Sequence, residues 1–402
     1  GQRILMQVLS MSDNPPIHYQ WVDESGQGQF FDQTDNALHP SPWSASDDTT
    51  NYAYWVAPAT PQTCRISCII TDDRDQSETV SFEVRVSARN LETIYGSGVV
   101  SIIKEPDVII GGIWASFNDE TIRYITSSSD QIGGLQGAFE SFTLSTDEAT
   151  GESSLWGAPL SVNTITYLTG STSATVRALP DTPSEDESIN DLLYNSSTLW
   201  AATDWGAFYY PPYEDTWYAY ISNTSGLGRT NDIFLSEFIM YDTYYNYIYL
   251  ATTQGIFEVY RTTSTDPNAV TDRIPASSAD AREVLTIVGD DKTTASNEDY
   301  NTITIWYSTT SSIKKMRRTE TGGPHDTTSW QDIAVTSPST MSPSIDIDLY
   351  GYLWCGKYKW DGTSWSENTG LDAIDNSTIK KVIVSNEGLV YFLTYSGALF
   401  RY

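Results

Sequence analysis

The 402-residue sequence predicts an all-β protein, with a β-sandwich over residues 1–88 and a seven-bladed β-propeller over residues 89–402. Three observations carry that prediction. Aromatic residues make up 13% of a chain otherwise crowded with Ser, Thr, Asn and Gly, and β-branched and aromatic side chains fit pleated, half-buried surfaces. Short alternating apolar runs recur from end to end, and no apolar run at helical spacing exceeds about two turns. From residue 114 onward an aromatic kernel returns seven times.

The first region opens with Arg3-Ile4-Leu5-Met6-Gln7-Val8-Leu9, which reads as a strand. His18-Tyr19-Gln20-Trp21, a Gly26-Gln27-Gly28 turn and Tyr54-Trp55-Val56-Ala57-Pro58 follow. Cys64-Arg65-Ile66-Ser67-Cys68-Ile69-Ile70 reads as a strand that turns Cys64, Ile66, Cys68 and Ile70 towards a core. On such a strand the two cysteines stand about 13 Å apart, too far for a disulfide, which needs Cα atoms within about 7 Å. An acidic turn, Thr71-Asp72-Asp73-Arg74-Asp75, leads to Val80-Ser81-Phe82-Glu83-Val84-Arg85-Val86, whose strict alternation marks a half-buried last strand. This order of motifs resembles Ig-like domains of the polycystic-kidney-disease and cadherin-like type, and that resemblance implies a two-sheet sandwich.

The kernel of the second region is an apolar residue, an aromatic, small residues, a turn and a second apolar run. Its clearest copies are Leu199-Trp200-Ala201-Ala202-Thr203-Asp204-Trp205-Gly206-Ala207-Phe208 and Ile248-Tyr249-Leu250-Ala251-Thr252-Thr253-Gln254-Gly255-Ile256-Phe257. Others centre on Trp114, Trp156, Trp306, Trp354 and Tyr391, so that successive aromatics are 42, 44, 49, 57, 48 and 37 residues apart. A period in the forties with strand–turn–strand content is that of propeller blades. In this reading the small residues let inner strands crowd together and the aromatics pack between neighbouring sheets. The chain ends in the middle of a blade at Leu399-Phe400-Arg401-Tyr402, and Leu91-Glu92-Thr93-Ile94-Tyr95 is placed to supply the missing outer strand. The kernel resembles the repeat of the propellers in the sensor regions of bacterial two-component regulators.

Composition narrows the function. The formal charge of −30 repels phosphate backbones and anionic headgroups, which excludes nucleic acid as a natural partner. No apolar stretch reaches the roughly 18 residues a membrane span requires, and the protein is expected outside the cell or at its surface, with any export signal removed. Three histidines (His18, His39, His325) form no metal cluster and no triad motif, and neither a phosphate loop nor a dinucleotide fingerprint is present. A non-catalytic protein without a cofactor is therefore expected. Three carboxylate sets, Asp204, Asp346 with Asp348, and Glu214 with Asp215, keep open a polysaccharide-active enzyme. The acidic turns at Asp72-Asp73-Arg74-Asp75 and Gly289-Asp290-Asp291 leave room for Ca²⁺, although neither has EF-hand spacing.

The binding candidate is an aromatic patch, Trp205, Tyr209, Tyr210, Tyr213, Trp217 and Tyr218, interrupted by Pro211-Pro212. Exposed, these rings would offer flat faces to a glycan or anchor a protein partner; packed on one another, they would plug the gaps between blades. A second cluster, Tyr241, Tyr244, Tyr245 and Tyr247, stands under the same two readings. The basic run Lys314-Lys315-Met316-Arg317-Arg318 reads as a solvated blade edge. Binding or adhesion is the leading expectation, and self-assembly into a surface layer or filament the alternative.

Overall fold

The described residues of this computed structural model are 3–8, 16–32, 37–45, 50–58, 62–86, 91–105, 111–146, 153–159, 164–169, 172–175, 179, 188–195, 198–211, 216–222, 229–240, 243–261, 271–273, 283–289, 302–319, 330–348 and 351–402. They are all-β apart from two single 3₁₀ turns. The chain falls into two compact units, one built on Gly1–Asn90 and the other on Leu91–Asp291, Asn301–Ser385 and Val390–Tyr402.

The first unit holds β1 (Arg3–Gln7), β2 (Ile17–Asp23), β3 (Gln29–Asp32), β4 (Ala37–His39), β5 (Tyr52–Val56), β6 (Gln62–Asp72) and β7 (Ser77–Val86). They form two antiparallel sheets, ordered β1-β5-β3-β4 and β2-β6-β7. One core joins them: Trp21, Phe30, Trp55, Cys64, Ile66 and Cys68 are fully buried in a single cluster. Alternation on β6 puts both cysteines on the face of Ile66, as their spacing demands; the thiols are free, and burial pushes that of Cys68 up to about 11. Phe82, Val84 and Val86 of β7 pack on this core, whereas Val80 stays 37% exposed.

The turn after β2 is built around Asp23. Its carboxylate accepts from the Ser25 hydroxyl (2.5 Å), the Gly28 amide (2.7 Å) and the Trp55 indole (3.3 Å). Burial works against the charge, but these donors outweigh it and hold the carboxyl below the usual range. A side chain at residue 28 would collide with the Trp55 ring, the nearest approach being 2.3 Å, so glycine is required there.

The second unit opens with β8 (Glu92–Tyr95), followed by four-stranded sheets. The first is β9 (Val99–Lys104), β10 (Ile113–Phe117), β11 (Thr121–Ile125) and β12 (Asp130–Gln136). The second is β13 (Phe139–Thr146), β14 (Ser153–Pro159), β15 (Thr166–Thr169) and β16 (Thr172–Thr175). The third is β17 (Ile189–Asn195), β18 (Thr198–Thr203), β19 (Gly206–Tyr210) and β20 (Tyr218–Ser222). The fourth is β21 (Thr230–Met240), β22 (Thr243–Thr252), β23 (Gly255–Arg261) and β24 (Thr271–Arg273). The fifth is β25 (Val284–Gly289), β26 (Thr302–Thr309), β27 (Ile313–Thr319) and β28 (Trp330–Ile333). The sixth is β29 (Ile345–Ile347), β30 (Leu353–Cys355), β31 (Tyr358–Trp360) and β32 (Trp365–Glu367). The last, β33 (Ile379–Val384), β34 (Val390–Thr394) and β35 (Leu399–Arg401), takes β8 as its fourth strand.

Every kernel aromatic falls on the second strand of its sheet. Trp156 packs with Leu192 and Tyr210 of the third sheet, Trp200 with Ile233 of the fourth, and Tyr249 with Ile287 of the fifth. Trp306 and Trp354 continue the pattern towards Ile345 and Val382. The Thr-x-x-Gly of the kernel closes a hairpin. The Thr203 hydroxyl donates to the Gly206 carbonyl (3.0 Å) and accepts from the Trp205 amide (3.1 Å). Thr252 repeats this with Gly255 and Gln254. Gly206 and Gly255 have φ of 133° and 114°, which side chains rarely adopt.

The first strands touch in sequence, β9 to β13, then β17, β21, β25, β29 and β33, and β33 touches β9. Closure is completed by β8, which pairs antiparallel with β35 in the register Arg401↔Glu92, where Arg401 Nη2 lies 2.5 Å from Glu92 Oε2. The sequence expected this borrowed strand.

Candidate functional site

At the centre of the strand ring lies a cavity of about 440 Å³, lined by residues from all seven first strands. A recurrent irregularity shapes it. In β13, β17, β21, β25 and β33 the register slips at the second residue, leaving Glu140, Asn190, Asn231, Leu285 and Lys380 without a partner on the neighbouring strand. A bulge breaks the two-residue alternation and re-aims side chains. Here it turns consecutive residues inward together: Glu140 with Ser141, Asn190 with Asp191, Asn231 with Asp232, Lys380 with Lys381.

These polar side chains also clasp each sheet to the next. The Ser101 hydroxyl donates to the Phe139 carbonyl (2.6 Å), and that of Ser141 to Asp191 (3.5 Å). Asp191 accepts from the Ile233 amide (3.2 Å), and the Asn190 amide group donates to the Thr230 carbonyl (2.8 Å). Asp232 and Asn231 repeat this arrangement with Ile287 (2.8 Å) and Val284 (2.7 Å). Thr286 donates to Pro343 (2.9 Å), Asp346 accepts from the Val384 amide (2.7 Å), and Lys380 donates to Val100 (3.1 Å). Each of the seven junctions is thus bridged at the cavity wall.

The carboxyls are set apart by their surroundings. Burial lifts Asp232 well above the usual carboxylate range, and the charge of Asp191 lifts it further. Asp191 is raised by burial too, but Lys381 and a hydrogen bond with Asp232 hold it back. Of the two, Asp232 is thus the carboxyl pushed further upward. Burial raises Asp346 against the charges of Lys104 and Lys381. Lys380 is lowered by burial, and Glu140 opposes that shift.

The aromatic patch divides. Tyr209, Tyr210 and Trp217 are buried: Tyr210 and Trp217 lie in the core shared with Trp156, their rings 5.0 Å apart, and Tyr209 lies in the core beside Trp200. Trp205, on the β18–β19 turn, is partly buried against the same core as Tyr210. Tyr218 is 36% exposed and stacks on Tyr209 at 5.1 Å. Tyr213 lies outside the described residues, as do Tyr241 and the side chains of Tyr244, Tyr245 and Tyr247. The described rings fill gaps between sheets, and only Tyr218 and part of Trp205 face outward.

The described members of the three carboxylate sets do not come together. Asp204 pairs with Arg229 (3.2 Å), and Asp348 with Lys359 (3.0 Å) and the Trp354 indole (3.2 Å). Asp346 alone reaches the cavity, and Glu214 and Asp215 lie outside the described residues. Asp72 accepts from the Arg74 and Gln76 amides, which closes its turn; Asp290 and Asp291 lie outside the described residues. Among the described residues no three His, Cys, Asp or Glu side chains are grouped to hold a metal, and no helix is long and apolar enough to cross a membrane. The basic run lies on β27, where Lys315 covers the Trp306 ring at 4.5 Å.

No family model and no curated protein matches the chain. Solved structures do. The extracellular domain of BT4673 from B. thetaiotaomicron, described as a one component system, superposes with a TM-score of 0.51 at 16% identity, over 78% of this chain and 40% of that one. The extracellular domain of BT3049 from the same organism, described as a hybrid two component system, gives 0.51 at 12% identity, over 92% of this chain and 55% of that one. The chain thus spans about half or less of the length of these domains, and at such identities the likeness is one of fold. Together with the ring of four-stranded sheets, it identifies the second unit as a β-propeller.

Proposed function

We propose that this chain is a non-catalytic binding module of the cell surface or extracellular space, in which a seven-bladed propeller recognises a small polar ligand or the end of a glycan at its axis. The observation that carries the reading is the axial cavity, to which every first strand contributes and which falls in the volume range of small-molecule sites, roughly 300–1,000 Å³. Seven four-stranded sheets with first strands in cyclic contact support the blade number. The extracellular setting is carried over from the solved domains of like fold. A non-catalytic role fits the commitments of the carboxyl pair, since Asp191 and Asp232 each hold a backbone amide of the next sheet. For residues 1–88 we propose an Ig-like module: β1-β5-β3 and β2-β6-β7 follow the order of strands B-E-D and C-F-G in that fold.

The test is a glycan and metabolite panel read by calorimetry on the full chain and on Glu140→Trp, which places an indole in the cavity. Binding by the parent and its loss in the variant, with unchanged circular dichroism, is the expected result. Binding that survives Glu140→Trp but is lost in Trp205→Ala would return the site to the aromatic turn. Turnover of any bound polysaccharide would overturn the non-catalytic assignment.

A further inference from the structure

Resting on the axial-site reading, we infer that the ligand is a small carboxylate carrying hydrogen-bond donors at its other end, the chemistry shared by a uronic acid and an amino acid. The cavity is electrically divided. Its cations come from two strands in direct contact: Lys104 on β9, and Lys380 and Lys381 on β33. On the far arc, β17 and β21, likewise in contact, present Asp191 and Asp232. In the ring, β13 on one side and β25 and β29 on the other separate the two arcs, which therefore stand opposite each other. The charge of Lys381 acts on both of these carboxyls and on Asp346.

The balance on each arc favours such a ligand. On the near side three lysines outnumber the carboxyls of Glu140 and Asp346, whereas the far arc presents carboxyls and no cation. The described ion pairs involve Arg65, Arg123, Arg229, Lys357, Lys359 and Arg401, and no cavity lysine is among them. In a chain of net charge −30, three of only 22 basic residues gather around this one space. A lysine ammonium is a strongly hydrated point charge with three donors, and a ligand carboxylate can replace its water. Leu285, the bulged residue of β25, supplies apolar wall between the arcs, suited to a sugar ring or a short carbon chain.

The experiment is calorimetry on the full chain with galacturonate, galactose, serine and ethanolamine, repeated with Lys381→Met, Lys104→Met and Glu140→Trp. Galacturonate or serine is expected to bind at least tenfold tighter than its partner lacking the carboxylate, and whichever binds identifies the source. Either lysine variant should weaken that binding at least tenfold, Lys104→Met serving should Lys381→Met fail to fold. Galactose binding as tightly as galacturonate, or lysine variants without effect, would overturn the carboxylate inference while leaving the axial site in place, provided Glu140→Trp still blocks binding. Absence of binding by both acids would also overturn it. Binding undiminished in Glu140→Trp would remove the axial-site reading itself.

Discussion

Residues 3–86 bury their strand faces in one place, whereas the sheets that follow bury theirs in a series of separate clusters. In the first unit Trp21, Phe30 and Trp55 meet in a single core between two sheets. In the propeller each described cluster joins one sheet to the next, and the centre that seven sheets might have filled with apolar side chains is instead a polar cavity. A sandwich has no other place to put its apolar surface. A ring of sheets does, because each sheet has two neighbours, and its axis is released for polar groups at the cost of satisfying them one junction at a time. Damage should therefore spread through the first unit and stay local in the second.

The largest expected effect is in the first unit. Trp55→Ala empties the middle of the common core and removes one of the donors to Asp23. Such truncations cost about 3–5 kcal/mol, and hydrogen exchange should show lost protection in β2, β5 and β6 together. Loss confined to β5 would break the comparison. A smaller effect is expected from Asn231→Ala in the propeller. It removes the bridge to the Val284 carbonyl and leaves a buried acceptor unsatisfied, which costs about 1–3 kcal/mol. Protection should fall only in β21 and β25, and a uniform loss across all seven sheets would show that the junctions are not independent.

This contrast also explains what could be read in the sequence. The first unit was legible as alternation, because β6 and β7 keep a two-residue period against one core. The blades were legible through the bulky aromatic on each second strand, and the borrowed strand β8 through the unfinished last blade. The cavity was not. Its residues come in adjacent polar pairs, Asn190-Asp191 and Asn231-Asp232, which read as turn signals when alternation is assumed. A bulge makes both members face the axis, and a bulge leaves no mark in composition. The available signal was the repeat itself: Asn-Asp-apolar precedes both of the best kernels, ten residues before Trp200 and eighteen before Tyr249. Tyr209, Tyr210 and Trp217 misled for the opposite reason, since rings that plug gaps between sheets look like a binding surface when their neighbours are unseen.

Acid should separate the two units most finely, because their buried carboxyls are displaced in opposite directions. In the propeller, Asp232 titrates above its ordinary value near 3.8, as do Asp191 and Asp346. Between the ordinary and the raised values the folded protein binds protons that the unfolded chain lacks, so propeller stability falls as pH rises through that window. In the first unit Asp23 titrates below its ordinary value, so its contribution is present above that value and disappears as pH falls through the depressed one. Lowering the pH from above the raised values towards the ordinary one should thus raise the melting temperature of the propeller and leave the Asp23 turn unaffected, while acidification below the ordinary value should loosen β2 and β5 first. Asp232→Asn isolates the effect. The amide can still donate to Asp191 and accept from Ile287, but it needs no proton to do so. The variant should melt higher than the parent at a pH above the raised value, and its melting temperature should depend less on pH between the ordinary and the raised values. An unchanged slope in Asp232→Asn would show that protonation of Asp232 contributes nothing to holding the fourth sheet against the fifth.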